Sequence, residues 1–288
     1  MNNITPKIHF AITIVVFIVI STFTTKLSAQ EPVVQWDQTI GTTSNDNLVQ
    51  VNLTSDGGFI LGGYTSGGIS GDKTEANMGG TDMWVVKLDA LGNIQWQNSI
   101  GTSSSDNLVD IVQTVDGGFL LGCTSSTGIS GDKTEAAIGL SDFWIIKLNA
   151  SGVIMWQNTI GGTGNDNLTD IEPVPSGGFL LSGYSSSGIS GDKTEANIGL
   201  YDYWIVKINP FGTIQWQHTI GGDNNDKLLQ TVKSNSGNYV LAGQSVSGIS
   251  GNKTEAQIGT EDYWLVEIDI DGNIIWQNTI GGPGYDVF

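Results

Sequence analysis

Between residues 106 and 161 short apolar runs alternate with polar breaks, and each run reads as a strand. "DNLVDIVQTV" (106–115) is β-branched and apolar, and "DGG" (116–118) is a tight-turn signal. "FLLGCTSS" (119–126) forms a second run, followed by a long polar stretch, "TGISGDKTEAAIGLS" (127–141). In "DFWIIKLN" (142–149) Trp144, Ile146 and Leu148 share one face, Ile145 and Lys147 the other. "ASG" then turns the chain into "VIMWQNTI" (153–160), where Ile154, Trp156 and Ile160 share a parity, and "GGTGN" leads onward. No segment keeps a 3.6-residue period over a useful length. The pattern predicts four strands, A to D, each joined to the next in an antiparallel meander the size of one propeller blade.

This unit recurs with a period of 60. Trp36, Trp96, Trp156, Trp216 and Trp276 keep that spacing, as do Trp84, Trp144, Trp204 and Trp264. "GISGDKTEA" stands at 68–76, 128–136 and 188–196, and returns as "GISGNKTEA" at 248–256. A fixed period of this length signals a repeat architecture. The expected fold class is all-β, a β-propeller-like array of four-stranded antiparallel blades, with units at about 46–101, 106–161, 166–221 and 226–281. A lone D strand (33–41) precedes the first unit, and Asp286 begins a fifth A strand. The expectation is four complete blades in an open arc, a piece of a longer array; a closed four-blade ring with 33–41 added at one edge is the alternative. Gly pairs in strand B, such as Gly62 and Gly63, are expected to leave room for a Trp of the neighbouring sheet.

Composition refines this picture. The 288 residues include 40 Gly, 9 Trp and only 6 Pro, with 39% hydrophobic residues, which suits a turn-rich β chain rather than a disordered one. Residues 1–29 read differently: Lys7 precedes an apolar run from Ile8 to Ile20, and Leu27-Ser28-Ala29 supplies a small-residue cleavage site. That describes a secretory signal peptide cleaved near Ala29, with an uncleaved anchor as the alternative, so residues 30–288 are expected to form the exported repeat domain, secreted or held at the cell surface and outside the membrane once the signal is cleaved. The run is short for a membrane span. All 11 basic residues are Lys, against 29 acidic ones, and Lys7 and Lys26 leave with the signal. So acidic a surface repels phosphate backbones and argues against nucleic-acid partners. Cys123 is the sole cysteine, which excludes an internal disulfide and reads as a small buried thiol.

Candidate chemistry is sparse. A meander places the A–B and C–D turns at one end and the long B–C and D–A connections at the other, and that long-loop face is the expected site. Asp46, Asp106, Asp166 and Asp226 each open a strand A next to the D–A connection. They read either as a ring of carboxylates for a polar ligand or Ca²⁺, or as acceptors for backbone N–H groups of their own turns. The loop lysines Lys73, Lys133, Lys193 and Lys253 are further candidate ligand contacts. Asp72 with Glu75, three residues on, reads as a capping box opening one helical turn, and Asn252 in the fourth copy suits a cap better than a metal ligand. No metal site and no resident cofactor are expected. His218 is the one histidine outside the signal, and no P-loop, G-x-S-x-G or dinucleotide fingerprint occurs.

The stretch "VVKLDALGNIQWQ" (85–97) resembles the propeller repeats of the quinoprotein (PQQ-like) class, with the turn Asp89-Ala90-Leu91-Gly92 reaching Trp96 one residue early. "DGGFILGGYTSGGISGDKTE" (56–75) with "DMWVVKLDALGNIQWQ" (82–97) is more similar to secreted repeat proteins of Bacteroidetes-type bacteria. That resemblance covers about 33–286 and implies an exported propeller. The expected function is a non-enzymatic binding or scaffold module acting through its long-loop face, with a polysaccharide or another surface protein as partner. The alternatives are a carbohydrate-active propeller enzyme using blade-specific carboxylates and a cation-stabilised structural spacer.

Overall fold

The computed structural model describes residues 34–175 and 177–286, so the expected signal peptide lies outside the described residues. The body described below begins at Trp36. Its first sheet comprises β1 (Asp46–Leu53), β2 (Phe59–Thr65), β3 (Asp82–Leu88) and β4 (Ile94–Ile100). The second is β5 (Leu108–Gln113), β6 (Phe119–Ser125), β7 (Asp142–Leu148) and β8 (Ile154–Ile160). The third is β9 (Asp166–Pro173), β10 (Phe179–Ser185), β11 (Asp202–Ile208) and β12 (Ile214–Ile220). The fourth is β13 (Asp226–Lys233), β14 (Tyr239–Ser245), β15 (Asp262–Ile268) and β16 (Ile274–Ile280). Every sheet is an antiparallel meander in sequence order, and no helix occurs among the described residues. Successive A strands lie against one another, whereas the first and fourth sheets do not touch, so the array of blades is open. Residues 34–41 carry no sheet ladder.

The core lies between blades. Ile60, Met83, Val85 and Ile100 of the first blade pack against Leu108, Ile111, Leu121, Trp144 and Ile146 of the second. The opposite face of the second blade, with Phe143, Ile145 and Ile160, meets Leu168, Ile171, Trp204 and Val206 of the third. The third junction repeats this with Ile205 and Ile220 against Leu228, Trp264 and Val266. Strands β7 and β11 are therefore buried along their whole length, on both faces. Each fully buried Trp removes about 150–250 Å² from water, at most about 4–6 kcal/mol by area.

Two irregularities shape every junction. In strand A the register slips between Leu48 and Gln50, and between Leu108 and Asp110, leaving one residue unpaired. This bulge puts Leu108 and Ile111, an odd spacing apart, on the same apolar face. Strand B makes room for them: a Cβ on Gly62 would stand 2.4 Å from Leu108 Cδ2, and one on Gly122 2.4 Å from Leu168 Cδ2. The glycine space thus serves strand A of the next blade, not a Trp as the sequence suggested. Gly63, Gly183 and Gly243 lie opposite the bulge, where a Cβ would strike the carbonyl of Asn47, Asn167 or Lys227 at 2.0–2.1 Å. Cys123 occupies this position in the second blade, and there strand A enters its ladder only at Leu108.

The second irregularity lies in strand D. Lys147 pairs with Trp156 and Leu148 with Ile154, so Met155 is the extra residue. Ile154 therefore packs into the junction with the first blade and Trp156 into the junction with the third, although their parity predicted one face. Trp96 likewise reaches forward, setting its ring edge-on to Phe119 at 5.7 Å and donating from Nε1 to Ala150 O at 3.0 Å. Gly152, at φ 82°, sits under that ring where a side chain has no space.

Gly122→Val is expected to cost about 1–3 kcal/mol in urea denaturation, because its side chain enters the space of Leu168 and Ile171. Ala242→Val, at the same place on the uncovered face of the fourth blade, is expected to change stability by less than about 0.5 kcal/mol.

Candidate functional site on the long-loop face

The nine-residue loop phrase is a clasp between blades. Asp132 N donates to Gly101 O at 2.9 Å, and Gly101 N donates back to Asp132 Oδ2 at 3.1 Å. Asp72 does the same with Gly41, and Asp192 with Gly161. The B–C loops of the second and third blades are thereby tied to the end of the preceding blade's strand D, and that of the first blade to the segment ending at Gly41. In the fourth blade Asn252 substitutes its amide oxygen, accepting from Gly221 N at 3.2 Å. A neutral acceptor suffices, which explains why the Asp-to-Asn exchange is tolerated. Gly131, at φ 55°, lets the loops approach, since a Cβ there would lie 2.3 Å from Gly101 O. Ser130 Oγ adds a bond from Ser103 N at 3.3 Å.

The capping-box reading of Asp72 and Glu75 is overturned, because no helical turn forms there. Ser70 and Lys73 instead form an antiparallel bridge around a tight turn. Glu75 Oε2 accepts from Ser99 N at 2.6 Å, and Glu135, Glu195 and Glu255 accept from Thr159, Thr219 and Thr279 in the same way. The carboxylate completes strand D's hydrogen bonding rather than a helix end.

The Asp series serves its own turns. Thr42 N, Thr102 N, Gly162 N and Gly222 N donate to Asp46, Asp106, Asp166 and Asp226 at 2.6–2.7 Å. Asp46 is exposed, while Asp106, Asp166 and Asp226 are completely buried. The four lysines are buried too, each about 1% exposed. Lys73 Nζ donates to Glu75 O and Asn77 Oδ1, both at 2.8 Å, and Lys133 Nζ donates to Glu135 O at 3.1 Å. Lys253 donates to Thr279 Oγ1 at 2.7 Å and lies 5.2 Å from the Trp264 ring; Lys193 bonds Thr219 Oγ1 and lies 5.5 Å from the Trp204 ring. Burial lowers Lys193 to about 8, opposed by the charges of Asp166, Asp202 and Glu195. Asp106, Asp166 and Asp226 and the four lysines thus lie in a buried polar layer beneath the loops, while Asp46 stays exposed.

Sequence reasoning passed over two series that hold this layer. Gln97 Oε1 accepts from Trp84 Nε1 at 3.0 Å while its Nε2 donates to Asp72 O at 2.6 Å, and Gln157, Gln217 and Gln277 repeat both bonds. Asp82, Asp142, Asp202 and Asp262 accept from the N–H four residues earlier and close the loop. The invariance of "WQ" after each C–D turn was the available signal. The loop isoleucines have no such role. Ile69, Ile129, Ile189 and Ile249 are 69–70% exposed, each beside a glycine with open space around it.

Three carboxyls on the inner strands form a second polar feature. Asp110 accepts from Ile171 N at 3.1 Å and Asp170 from Thr231 N at 2.6 Å, stitching each A strand to the next. Asn52 Nδ2 does the same at Ile111 O, 2.7 Å. Burial, then repulsion from Asp170, pushes Asp110 up to about 7. Burial also raises Asp170, and burial with the charge of Asp170 raises Glu172 to about 7 against the pull of Lys233.

No family model matches the chain, and no curated protein matches it. Among solved structures the chain is similar to the crystal structure of a protein of unknown function from Bacteroides caccae, at 12% identity and a TM-score of 0.39, over 82% of each chain.

Asp132→Ala is expected to lose about 1–2 kcal/mol in chemical denaturation, while Asp132→Asn stays within about 0.5 kcal/mol of the parent, as Asn252 implies. The raised carboxyls bind a proton more tightly folded than unfolded, so their stabilisation is complete below about pH 4 and is lost as pH climbs through about 7. Urea midpoints are accordingly expected to fall between pH 4.5 and about pH 7.5, and Asp110→Asn is expected to flatten that slope.

Proposed function

We propose that this chain is an exported, non-enzymatic binding or scaffold module that engages a surface partner through its long-loop face. The observation that carries this reading is the row of Ile69, Ile129, Ile189 and Ile249. Every other side chain of the repeated phrase from Ser70 to Lys73, and Glu75, is accounted for by an internal bond or by burial. The isoleucine is repeated in each blade and left in solvent, where an apolar side chain contributes nothing to the fold. Strand A has meanwhile diverged between blades ("VNLTSD", "IVQTVD", "IEPVPS", "TVKSNS").

Four equivalent apolar contacts on a rigid array suit a partner that is itself repetitive, because linked weak contacts multiply. A surface polysaccharide or an array of another surface protein has that character. The acidic charge of the chain, −18 overall, favours a neutral or cationic partner.

Adsorption to insoluble chitin, cellulose and peptidoglycan, and to intact bacterial envelopes, tests the reading. Replacing isoleucine by serine in one, two and then all four loops is expected to weaken adsorption stepwise, by several-fold per loop, with a melting temperature unchanged within about 2 °C. Undiminished adsorption of the fourfold variant overturns it.

A further inference from the structure

The two end blades present the two halves of a junction that the body already makes three times. On the first blade, Leu48 and Val51 are 64% and 55% exposed, whereas their counterparts Leu108 and Ile111 are 3% and 0% exposed. With Leu61 and Val86 they floor a groove of about 420 Å³. On the fourth blade, β14 and β15 alternate strictly between buried and half-buried residues, where β7 and β11 are buried throughout. Val240, Leu265 and Ile280 form the uncovered side, and Ile280 is 46% exposed against 0% for Ile100 and 2% for Ile160 and Ile220.

These faces are complementary by construction. Val240, Leu265 and Ile280 stand where Ile60, Val85 and Ile100 stand in the first junction, and Leu48 and Val51 stand where Leu108 and Ile111 receive them. We propose that a second copy of this chain docks its fourth blade on the first blade, continuing the inter-blade junction from copy to copy in a head-to-tail manner.

Residues Trp36–Gly41 regulate access to this seat. Trp36 packs edge-on to Phe59 at 5.6 Å and lies over Gly92, as Trp96 lies on Phe119 and over Gly152. Gly41 is clasped by Asp72 as Gly101 is by Asp132. The segment therefore holds the place of a preceding strand D, but it has no ladder partner, while β16 is paired with β15 along its length. "WDQTIG" (36–41) and "WQNTIG" (276–281) are alternatives for one position. The incoming strand carries Asn278, the counterpart of Asn98, whose Nδ2 donates to Gly152 O at 2.7 Å in the internal junction. Docking displaces the unpaired segment and leaves the paired strand in its place.

Sedimentation velocity at about 1–100 μM tests this, with Leu48→Glu blocking the receiving face and Leu265→Glu blocking the delivering face. The parent is expected to form a concentration-dependent series of oligomers, and Trp36→Ala to strengthen association by about tenfold, some 1.4 kcal/mol. Each blocked variant alone is expected to be monomeric, and their equimolar mixture to form dimers and nothing larger. The pair Val51→Lys and Ile280→Lys repeats the test should either glutamate variant melt early. Monomeric behaviour of both the parent and Trp36→Ala overturns the proposal, as does a dimer that survives either single block or an inert mixture. A chain whose end faces are covered by its own residues or by another protein shows the first of those outcomes.

Discussion

A four-stranded sheet that is apolar on both faces cannot stand alone in water. That constraint organises the whole molecule. Leu121, Trp144 and Ile146 need one neighbour and Ile145 and Ile160 another, so each blade is stabilised by its neighbours in the row. The same constraint accounts for the glycines of strand B, the bulge that turns Leu108 and Ile111 to one side, and the forward reach of Trp96 over the next turn. Stability of this kind is nearest-neighbour in character, and the cost of an end is an exposed apolar face.

Hydrophobic contact alone would let blades slide. Polar bonds between neighbouring blades set their registration. The Asp132 clasp on Gly101, the Asn98 bond to Gly152 O and the Asp110 bond to Ile171 N lie at the top, outer and inner margins of the junction. Acidic residues dominate because a carboxylate accepts from backbone N–H groups that bulges and loops leave without a ladder partner. Much of the chain's negative charge is thus spent inside, as acceptors, and several carboxyls are raised by burial in consequence.

The loop phrase that first suggested a ligand site divides cleanly between these duties. Gly71 and Asp72 belong to the junction, Lys73 and Glu75 bond within their own blade, and Ile69 stands in solvent. Repetition in a sequence therefore does not distinguish a binding surface from a joint. Exposure distinguishes them, because a joint residue must be covered and a contact residue must not.

The sequence by itself determined the strand order, the 60-residue unit and the hairpin turns, since each follows from local alternation and glycine placement. It also allowed the reading in which each Asp of the 46 series bonds its own turn, a contact only four residues long. Only the tertiary structure decided which partner fills the glycine space, that Ile154 and Trp156 face opposite neighbours, that Asp72 clasps Gly41 instead of capping a helix, and that the loop lysines point inward. A single-residue bulge inverts parity without altering composition, and bonds spanning about 30 or 60 residues leave no local periodic trace. Those contacts exist only once one blade has met the next.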